Sequence, residues 1–499
     1  MNKLLCVPIT ETSADHFLSA IDEAANIADI IELRLDYLPD PELAKVLAAL
    51  LTQKLTKPLL FTFRPQEQGG KRELPLGTRL NFWRSLQSEI LNLISFADFE
   101  LDLVEYLADK TPPIAWDKII CSHHNFDETP VNIGETCNRI AHTPAAVIKI
   151  ATKVNRIADC LPLFDLMERG EKPAIILGMG LPGIATRILA LSRGAMLTFG
   201  ALKRGAESAS GQPTATELNN LFRVHQLSKQ SEIYGVAGNP IGHSRSPLIH
   251  NSAFKFLNRD AVYLPFEVDD ITEFVRDFVH PKTKVFDWNL RGLSVTIPHK
   301  LSIMPQLDFI APEAQAVGAV NTVVIKNNEL HGYNTDVAGA MKPLETLIEL
   351  KGARAAIIGA GGGARAICYG LRERGANVTV YARDIQKAKI LAAEFKANSA
   401  SLSDFNGTTD IVINCTPLGM QGHNEGASPV KPEALRNAQL VYDLIYNPLE
   451  TQLLKDAKIA GCKTVGGMAM LIAQAAEQLK LWTGEEVLTE IMWQSVSNN

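Results

Sequence analysis

Residues 3–225 alternate short apolar runs with stretches of helical character, and this alternation strongly constrains the fold. Stretches such as Phe17–Ala28 and Arg79–Ile94 predict helices between the runs. Strands that alternate with helices pair in parallel, so eight β/α units predict an α/β fold: a compact (β/α)8 TIM barrel, with an open doubly wound sheet as the alternative. The predicted strands are Leu4–Ile9, Ile30–Leu35, Leu59–Phe63, Phe96–Leu101, Lys118–Cys121, Ala146–Ile150, Ala174–Leu177 and Met196–Phe199.

A parallel barrel carries its reactive residues where the strands end, on one rim. Polar residues occur at these places: Glu32, Arg34, Arg64, Asp98, Glu100, His123, His124, Ser208 and Gln212. Lys149 is the most informative, because it lies inside the apolar run Ala145–Ala151. A buried ammonium must be paired or have a lowered pKa, and a neutral lysine can form an imine with a ketone. The alternative is a lysine whose stem packs while its head reaches solvent.

The pair His123 and His124 does not have the spacing of a zinc site, because adjacent residues rarely bind one ion and no HExxH motif is present. We therefore expect no metal. A single histidine acting as a proton shuttle fits the pattern better.

In the second half, residues 355–367 read as a short apolar strand, a glycine-rich turn and a helix of small residues. Gly359 permits the tight turn, Gly361 lets the backbone approach a pyrophosphate, and Ala364 stands where a third glycine is usual. The pattern predicts a Rossmann dinucleotide-binding unit. The alternative is a glycine-rich turn in another kind of α/β protein.

Polar residues also follow the strands that precede this turn. Ser244 and Ser246 lie in a loop that opens a helix, where they can bind an anion or cap the helix. Lys300 and Asp336 each follow a short apolar run, and they can form either an acid/base pair or an ordinary surface salt bridge.

The length of 499 residues is too great for one hydrophobic core, so we expect two or three domains. A net charge of −6 with dispersed basic residues argues against nucleic acid as a partner. No apolar run approaches the roughly 18–20 residues of a membrane span. Seven scattered cysteines without a CxxC pair, and a short apolar start without a signal sequence, predict a cytoplasmic protein. Residues 214–227 are expected to form a closing helix, and 228–231 a short linker.

A resemblance emerges from the first half. It rests on Glu32–Asp36, Phe61–Arg64, Ser122–Phe126, Val147–Lys149 and Ser208–Gln212, which together resemble the type I 3-dehydroquinate dehydratases. The resemblance implies that Lys149 forms a Schiff base with the substrate ketone and that His124 is the general acid/base. It also implies that the substrate is bound by Glu32, Arg34, Arg64, Arg187, Ser208 and Gln212, with Arg187 clamping the carboxylate.

The first half departs from this family at one position. Its members usually have glutamate directly before the Gly69-Gly70 pair, as the partner of the histidine, whereas this chain has Gln68 there and Glu67 one residue earlier. Either the loop shifts, or His124 lacks its carboxylate partner.

The second half resembles the shikimate dehydrogenases. The resemblance rests on Gly238–Pro247, Leu293–Lys300, Gly318–Thr322, Gly332–Asp336, Asn414–Met420, Tyr442–Pro448 and Gly467–Gln474. It implies that Lys300 and Asp336 pass a proton to the ketone oxygen of the substrate. The implied substrate-binding residues are Ser244, Ser246, Thr296, Asn321, Tyr446 and Gln474. The implied cofactor-binding residues are Gly359, Ala360, Gly361, Gly362, Gly363, Ala364, Arg383, Lys387, Thr416 and Gly467.

The choice of cofactor depends on the end of the second Rossmann strand, where acids suit NAD and bases suit the phosphate of NADP. Arg383 and Lys387 favour NADP. Asp384 would repel a phosphate if it pointed inward, but it could instead cap the next helix.

The resemblances imply three domains: a dehydratase barrel over 1–227, a substrate-binding domain over 231–335 completed by helices at 468–497, and an NADP-binding Rossmann domain over 336–467. They imply a bifunctional enzyme of the shikimate pathway, which leads to chorismate and the aromatic amino acids. It would dehydrate 3-dehydroquinate to 3-dehydroshikimate and reduce that product to shikimate with NADPH.

Two alternatives stay open. One is an NAD-dependent quinate or shikimate dehydrogenase with a weak or non-catalytic dehydratase half. The other is a chain in which one half has lost catalysis and serves as a binding scaffold or an NADP-dependent sensor. In the main interpretation the partners are small-molecule substrates, without nucleic acid or membrane, and the oligomeric state stays open.

Overall fold

The computed structural model describes residues 3–422 and 424–497. Its first eight strands pair in parallel in chain order from β1 to β7, and β8 pairs with β1. β8 lies beside β7, where the Met196 N–H donates to the Ala174 carbonyl (2.8 Å). The sheet is thus a nearly closed barrel, as the alternation predicted. The strands are β1 Leu4–Ile9, β2 Ile30–Arg34, β3 Leu59–Thr62, β4 Ile94–Glu100, β5 Ile119–Asn125, β6 Val147–Lys153, β7 Ala174–Met179 and β8 Leu197–Phe199.

Helices cover the outside of the barrel: α1 Ala14–Ala24, α2 Asp40–Leu50, α3 Leu76–Ser85, α4 Ser88–Leu93, α5 Leu101–Leu107, α6 Ile133–Ala141, α7 Cys160–Glu168 and α8 Ile184–Ile188. The single helix expected over 79–94 is two helices, because Leu86 and Gln87 adopt extended conformations. The closing helix expected over 214–227 is wrong. Only a short π-helical stretch forms at Glu217–Leu221, and the left-handed backbone of Arg223 (φ 52°) then turns the chain.

The substrate-binding lobe is built on a mixed sheet in the order β10-β9-β11-β13-β14-β12. Its central strands run parallel, while β13 is antiparallel to both of its neighbours. The elements are β9 Glu232–Gly238, α9 Ser246–Phe256, β10 Ala261–Glu267, α10 Ile271–Phe274, β11 Leu290–Val295, β12 Phe309–Ile310, α11 Pro312–Val317, β13 Thr322–Lys326 and β14 Glu329–Tyr333.

The second lobe is a parallel sheet in the order β17-β16-β15-β18-β19-β20, the doubly wound arrangement of dinucleotide-binding folds. Strand order reverses between β15 and β18, and the glycine-rich turn follows β15 at this point. The strands are β15 Arg354–Ile358, β16 Asn377–Ala382, β17 Asn398–Ser401, β18 Ile411–Asn414, β19 Leu440–Asp443 and β20 Lys463–Gly466. The helices are α12 Asp336–Glu345, α13 Gly362–Glu373, α14 Ile385–Glu394, α15 Gln452–Ile459, α16 Gly467–Thr483 and α17 Thr489–Ser497.

The C-terminal helices return to the substrate-binding lobe. Ile472 and Leu479 of α16 and Met492 of α17 share one buried cluster with Ile249 and Phe254 of α9. The chain therefore crosses between the lobes twice, first at α12 and again at α16.

The barrel and the substrate-binding lobe share one continuous hydrophobic core. Phe164 of α7 stacks on Phe286 of the lobe, with ring centroids 4.6 Å apart. Arg193 lies over the same ring (5.1 Å) and donates to the Asp287 carbonyl (3.2 Å). Packing therefore sets the relative orientation of the two parts. None of the helices described is long and apolar enough to cross a bilayer.

Candidate active sites

Lys149 lies at the centre of the barrel and is 3% exposed. It points inward from β6, and its ammonium donates to Asp98 Oδ2 (2.6 Å), with Glu32 Oε1 at 3.7 Å and the Phe199 ring centroid at 4.6 Å. Of the two ways to bury a lysine, this structure has the ion pair. Arg64 and Lys149 both hold the pKa of Asp98 well below its usual range despite burial, so the carboxylate stays charged.

His124 ends β5 beside Arg64, whose Nη1 donates to His124 Nε2 (3.0 Å). A guanidinium has no acceptor, so the ring proton is on Nδ1, which has no hydrogen-bond partner among the described residues. Burial, and after it the charges of Arg64 and Lys149, lower the pKa of His124 well below its ordinary value. The ring is therefore neutral near pH 7. Its acceptor nitrogen is Nε2, so the hydrogen bond from Arg64 must break before the ring takes up a proton.

Arg64 was expected to bind substrate, but its guanidinium makes several contacts with side chains of the protein. Besides His124, it contacts Asp98 (2.5 Å) and Glu100 (3.5 Å). Burial raises the pKa of Glu100 to about 7, against the opposing effect of Arg64. Arg79 contacts Glu100 from the other side (2.8 Å).

The loop after β3 resolves the question raised by Gln68. Glu67 is exposed, and Gln68 Oε1 accepts the backbone N–H of His124 (2.9 Å). The loop therefore does not bring Glu67 to the histidine. His124 is held through its backbone by an uncharged amide, and no carboxylate in the described chain pairs with its ring.

Arg187 is a buried cation without a counter-ion among the described residues. It lies in α8, is 2% exposed, and its Nε donates to the Gly178 carbonyl (3.1 Å). Burial lowers its pKa to about 10, and no carboxylate in the described ranges forms an ion pair with it. A buried guanidinium without a partner is costly, so this position is suited to an anionic ligand.

Two further predicted residues, Arg34 and Ser208, line the same pocket, and Gln212 binds Ser208. Ser208 donates through its N–H and its hydroxyl to Gln212 Oε1 (2.9 and 3.1 Å). The buried Nε2 of Gln212 is left without a partner in the described part of the chain. Arg34 binds Asp36 in bidentate fashion (2.9 and 2.8 Å) and supports the pocket loop through the Gly69 carbonyl (3.0 Å).

The second site is centred on Lys300, whose ammonium contacts Asp336 Oδ2 (2.5 Å). Asn321 donates to the other oxygen of Asp336 (2.8 Å) and also to Thr335 (3.0 Å). The lysine is 20% exposed and the carboxylate 10%, so this pair is not an ordinary surface salt bridge. Asp336 begins α12, where the chain first crosses between the lobes.

The other residues predicted for this site lie on several elements. Ser244 and Ser246 lie at the start of α9, joined by the Ser246 N–H and the Ser244 hydroxyl (3.3 Å). Thr296 follows β11, while Tyr446 lies in the loop after β19, where burial raises its pKa. The structure places Gln474 in α16, with its Nε2 donating to the Leu471 carbonyl (2.9 Å).

The glycine-rich turn has the shape that a pyrophosphate requires. Gly359 has a φ of 106°, and a Cβ there would lie 2.8 Å from Thr416 Cγ2. Open space lies where Gly361 and Gly362 would carry a Cβ, at the N-terminus of α13. Ala364 is fully buried, which allows close packing of α13 on the sheet. These features fit a dinucleotide bound at a helix N-terminus.

The charged residues after β16 also fit NADP. Arg383 and Lys387 are exposed, and the Asp384 side chain accepts the N–H groups of Gln386 (3.0 Å) and Lys387 (3.4 Å). Asp384 therefore caps α14 and does not point at the phosphate position. Thr416 is held by Asn414 (2.7 Å).

Ala360 and Gly363 belong to the turn itself, whereas Gly467 lies at the start of α16. A Cβ at Gly467 would lie 2.1 Å from the Leu444 carbonyl, so close packing alone requires glycine there.

The direct partner of Lys149 was not among the residues assigned a role from the sequence. Asp98 was noted only as a rim residue, yet it pairs with Lys149 and also accepts from Ser122 (2.5 Å). The alternation of side chains along β4 was the available signal, since it puts Asp98 and Glu100 on the inner face together. Gln478, which contacts Thr322 (3.1 Å) beneath the second site, gave no sequence signal.

Four family models match successive parts of the chain. A model of type I 3-dehydroquinase matches residues 5–229. A model of the shikimate dehydrogenase substrate binding domain matches 236–323, one of shikimate / quinate 5-dehydrogenase matches 342–420, and one of the shikimate 5'-dehydrogenase C-terminal domain matches 467–496.

Individual proteins agree with this order. The bifunctional 3-dehydroquinate dehydratase/shikimate dehydrogenase, chloroplastic, of Arabidopsis thaliana is 33% identical over 99% of this chain and 84% of its own length. A shikimate dehydrogenase (NADP(+)) of Caldanaerobacter subterraneus is 43% identical over 52% of this chain and 94% of its own. A crystal structure of shikimate dehydrogenase from Aquifex aeolicus is 34% identical, with a TM-score of 0.50, over 54% of this chain and 98% of its own. The chain belongs to the family of bifunctional 3-dehydroquinate dehydratase/shikimate dehydrogenases.

Proposed function

We propose that the two sites catalyse consecutive steps of the shikimate pathway, the dehydration of 3-dehydroquinate and the NADPH-dependent reduction of 3-dehydroshikimate. The observation that carries the first assignment is the buried Lys149 in a pocket that also holds the unpaired Arg187. That combination suits a ketone which carries a carboxylate. The second assignment rests on the pair of Lys300 and Asp336 beside a dinucleotide turn.

In the dehydration, Lys149 gives up a proton and its nitrogen attacks the carbon of the substrate ketone. The ketone oxygen leaves as water when the imine forms. The imine accepts the electrons released when neutral His124 takes the neighbouring α-proton. Protonated His124 then donates that proton to the departing hydroxyl. Arg187 holds the carboxylate, while Glu32, Arg34, Arg64, Ser208 and Gln212 bind the rest of the substrate or support the residues that do. Water finally hydrolyses the imine and restores Lys149.

In the reduction, the substrate carboxylate lies against Ser244 and Ser246, with Tyr446 nearby. Thr296, Asn321 and Gln474 bind hydroxyls. Lys300 donates a proton to the ketone oxygen as it becomes an alkoxide, and Asp336 keeps the lysine oriented and charged, helped by the hydrogen bond from Asn321 (2.8 Å).

NADP is the cofactor, as in the shikimate dehydrogenase (NADP(+)) relatives, and when bound it supplies the hydride. Its pyrophosphate would be held by Gly359, Ala360, Gly361, Gly362 and Gly363, with Ala364 packing the helix behind them. Arg383 and Lys387 are suited to the 2′-phosphate because the capping role of Asp384 removes the competing negative charge. Thr416 and Gly467 border the same cleft. A dehydrogenase structure solved with NADP⁺, 38% identical over 55% of this chain and 96% of its own, has a TM-score of 0.51.

The domain limits proposed are 1–227 for the barrel, 231–335 with 468–497 for the substrate-binding domain, and 336–467 for the NADP-binding domain. They are supported by the start of β9 at Glu232 and by the packing of α16 and α17 on α9. A cytoplasmic location is supported by seven free thiols. The Arabidopsis relative, however, is chloroplastic. Fractionation of the source cells would test the location.

Quinate is a second candidate substrate, because the family model over residues 342–420 covers shikimate and quinate dehydrogenases together. Initial rates of oxidation, measured with quinate and with shikimate and with NAD⁺ and NADP⁺ in turn, show which substrate and cofactor the enzyme prefers. We expect the highest kcat/KM for shikimate with NADP⁺. A higher value for quinate with NAD⁺ would replace our assignment.

Two single variants test the division of labour. Lys149→Ala should abolish dehydration and leave reduction intact, and Lys300→Ala should do the reverse, because each lysine acts in its own site. Borohydride added to the wild-type chain with 3-dehydroquinate should attach the substrate mass to Lys149, as judged by mass spectrometry of peptides. Adduct formation in the Lys149→Ala chain, or none in the wild type, contradicts the imine mechanism.

A further inference from the structure

Gln478 of α16 is 1% exposed, and both polar atoms of its side chain bind other parts of the substrate-binding lobe. Its Oε1 accepts hydrogen bonds from the Ser294 hydroxyl (2.9 Å) and from His250 Nε2 (3.2 Å). Its Nε2 donates to the Thr322 hydroxyl (3.1 Å) and to the Asn321 carbonyl (3.4 Å). A side-chain amide has two donors and one oxygen with two lone pairs, so this residue has no capacity left for a ligand.

The orientation of this amide is determined by its surroundings. The Asn321 carbonyl can only accept, so the nitrogen of Gln478 must face it and the oxygen must face the two donors. His250 therefore carries its proton on Nε2, and burial lowers its pKa to about 3, so the ring stays neutral. The ring stacks on Tyr263, with the centroids 4.4 Å apart. Gln478 is thus fixed by helix α9 and strand β11 together.

The hydrogen bonds beyond Gln478 lead to Asp336. The Thr322 hydroxyl accepts from Gln478 and donates to Asn321 Oδ1 (2.8 Å). Asn321 Oδ1 also accepts the Thr335 N–H (2.8 Å), so the Nδ2 group faces Asp336 and donates to its Oδ1 (2.8 Å). Successive hydrogen bonds polarise one another, so the chain strengthens its last bond, the one to the carboxylate.

In the other direction the same chain reaches the far end of the second site. The Tyr263 phenol donates to the Ser294 hydroxyl (2.7 Å). Burial raises the pKa of this phenol, against the opposing effect of hydrogen bonds with Ser294 and Ser246. Ser246 is proposed to hold the substrate carboxylate, whereas Asp336 acts beside the ketone. Gln478 therefore links the residues that bind one end of the substrate to those that act on the other.

Helix α16 carries Gln478 one turn behind Gln474, which is proposed to bind a substrate hydroxyl. Gly339 of α12 packs closely on this helix, since a Cβ there would lie 2.6 Å from Gln474 Cβ. α12 begins at Asp336. Helix α16 thus contacts the helix of Asp336 directly and reaches Asn321 through Gln478, so it sets the positions of both residues.

We propose that Gln478 is a positioning residue for the reduction. Through Thr322, it holds Asn321 in the orientation that donates to Asp336. The carboxylate then stays aligned with Lys300, which protonates the ketone oxygen. The inference rests on the proposed function of the second site. Gln478 does not touch the substrate, so its loss should slow the reaction without weakening substrate binding.

Gln478→Met tests this role, because methionine has a similar volume but cannot donate to Thr322. With NADPH and 3-dehydroshikimate, we expect kcat to fall about tenfold, as for one lost buried hydrogen bond, while KM changes less than about twofold. Gln474→Met, one turn away on the same helix, should instead raise KM, since that side chain is proposed to contact the substrate. Gln452→Met, on α15 of the Rossmann lobe, is the control and should keep both constants.

Two measurements on the same chains show that the variants are folded. The dehydration rate and the Kd for NADPH, followed by fluorescence, should be unchanged in Gln478→Met, because neither the barrel nor the dinucleotide turn contacts this residue. A loss of reduction with both values intact is then a local effect in the second site.

A double-mutant cycle shows whether Gln478 acts through Thr322. Thr322→Val removes the hydroxyl and keeps the branched shape of the side chain. If one hydrogen-bonded chain carries the effect, the double variant should be no slower than the slower single variant. A kcat reduced by the product of the two single losses would contradict the proposal, because the two residues would then act independently.

Gln478→Glu is a second test that does not depend on methionine being tolerated, since glutamate has the shape of glutamine. A protonated carboxyl can still donate one hydrogen bond, and an ionised one cannot. Burial raises the pKa of such a carboxyl. The kcat of this variant relative to the wild type should therefore fall as the pH rises.

Three results would overturn the proposal: a kcat of Gln478→Met equal to that of the wild type, a rise of KM alone in that variant, or a relative kcat of Gln478→Glu that does not change with pH. Failure of the proposed function itself looks different, because the wild-type chain would then not reduce 3-dehydroshikimate with NADPH.

Discussion

His124 is a base that its surroundings keep neutral. Arg64 donates to one ring nitrogen, Lys149 adds a second nearby charge, and burial removes water, so protonation of the ring is disfavoured from three directions. Gln68 contributes no opposing charge, because its amide binds the backbone of His124. The residue in this position therefore adds no negative charge that would favour protonation of the ring.

Gln68→Glu should raise the pKa of His124, because a nearby carboxylate favours the imidazolium. Dehydration needs the neutral ring, whose pKa is well below 6.5 in the natural chain, so activity that is lost on acidification should be lost at a higher pH in the variant. We expect the acidic limb of kcat to move up by about one pH unit. The pH profile of 3-dehydroshikimate formation, followed by absorbance, measures this shift.

Gln66→Glu is the control, since Gln66 lies in the same loop but is exposed. Glu100, whose pKa is raised to about 7, titrates in all three chains and should appear equally in each profile. Identical acidic limbs for Gln68→Glu and the natural chain would show that position 68 does not influence the ring.

The loop after β8 depends on one close approach of backbone to backbone. Gly211 has a φ of 70°, and a Cβ there would lie 2.6 Å from the Gly180 carbonyl carbon. Gly205, earlier in the same loop, has a φ of 85°, but open space lies where its Cβ would be. The two glycines have the same backbone preference and differ in their neighbours.

Gly211→Ala should lower kcat/KM for dehydration by about tenfold or more, because the added methyl group displaces Gln212 and, through it, Ser208 of the pocket wall. Gly205→Ala carries a similar backbone strain without the contact, so it should lose stability but keep most of its dehydratase activity. Reduction of 3-dehydroshikimate should be unchanged in both. Equal dehydratase losses in the two variants would mean that backbone strain, not the contact with Gly180, is responsible.

The barrel and the substrate-binding lobe share one continuous hydrophobic core, whereas the Rossmann lobe has a core of its own. Phe286 of the lobe packs against the barrel. Its ring stacks on Phe164 (4.6 Å), lies edge-on to Trp288 (6.2 Å) and is covered by Arg193 (5.1 Å). A ring that three side chains contact contributes both buried area and aromatic pairing.

Phe286→Ala should cost about 2 kcal/mol of unfolding free energy, less than a fully buried phenylalanine, because Phe286 is partly exposed. Loss of this ring should separate the thermal unfolding transitions of the barrel and the dehydrogenase in calorimetry. Phe256→Ala, at a position 56% exposed in the same lobe, is the control and should leave the transitions together. A single unshifted transition in Phe286→Ala would show that other contacts hold the halves.

Much of the fold was accessible from the sequence because its signals are local. Apolar runs, turn glycines and capping residues act within a few positions, so all eight barrel strands and the turn after β15 were predicted close to their observed bounds. The closing helix failed because Val224 and Leu227 are buried by the barrel, and tertiary packing overrides a local helical preference.

The sequence alone also predicts the residue types of both sites and the family that combines them. Motifs in a fixed order can be recognised without knowing which residues are in contact. The fold was needed to show which charges meet. Asp98 reaches Lys149 across 51 residues, and Arg187 is left without a counter-ion. Gln478 likewise reaches Thr322 across 156 residues. Such contacts join distant parts of the chain, so no local pattern encodes them.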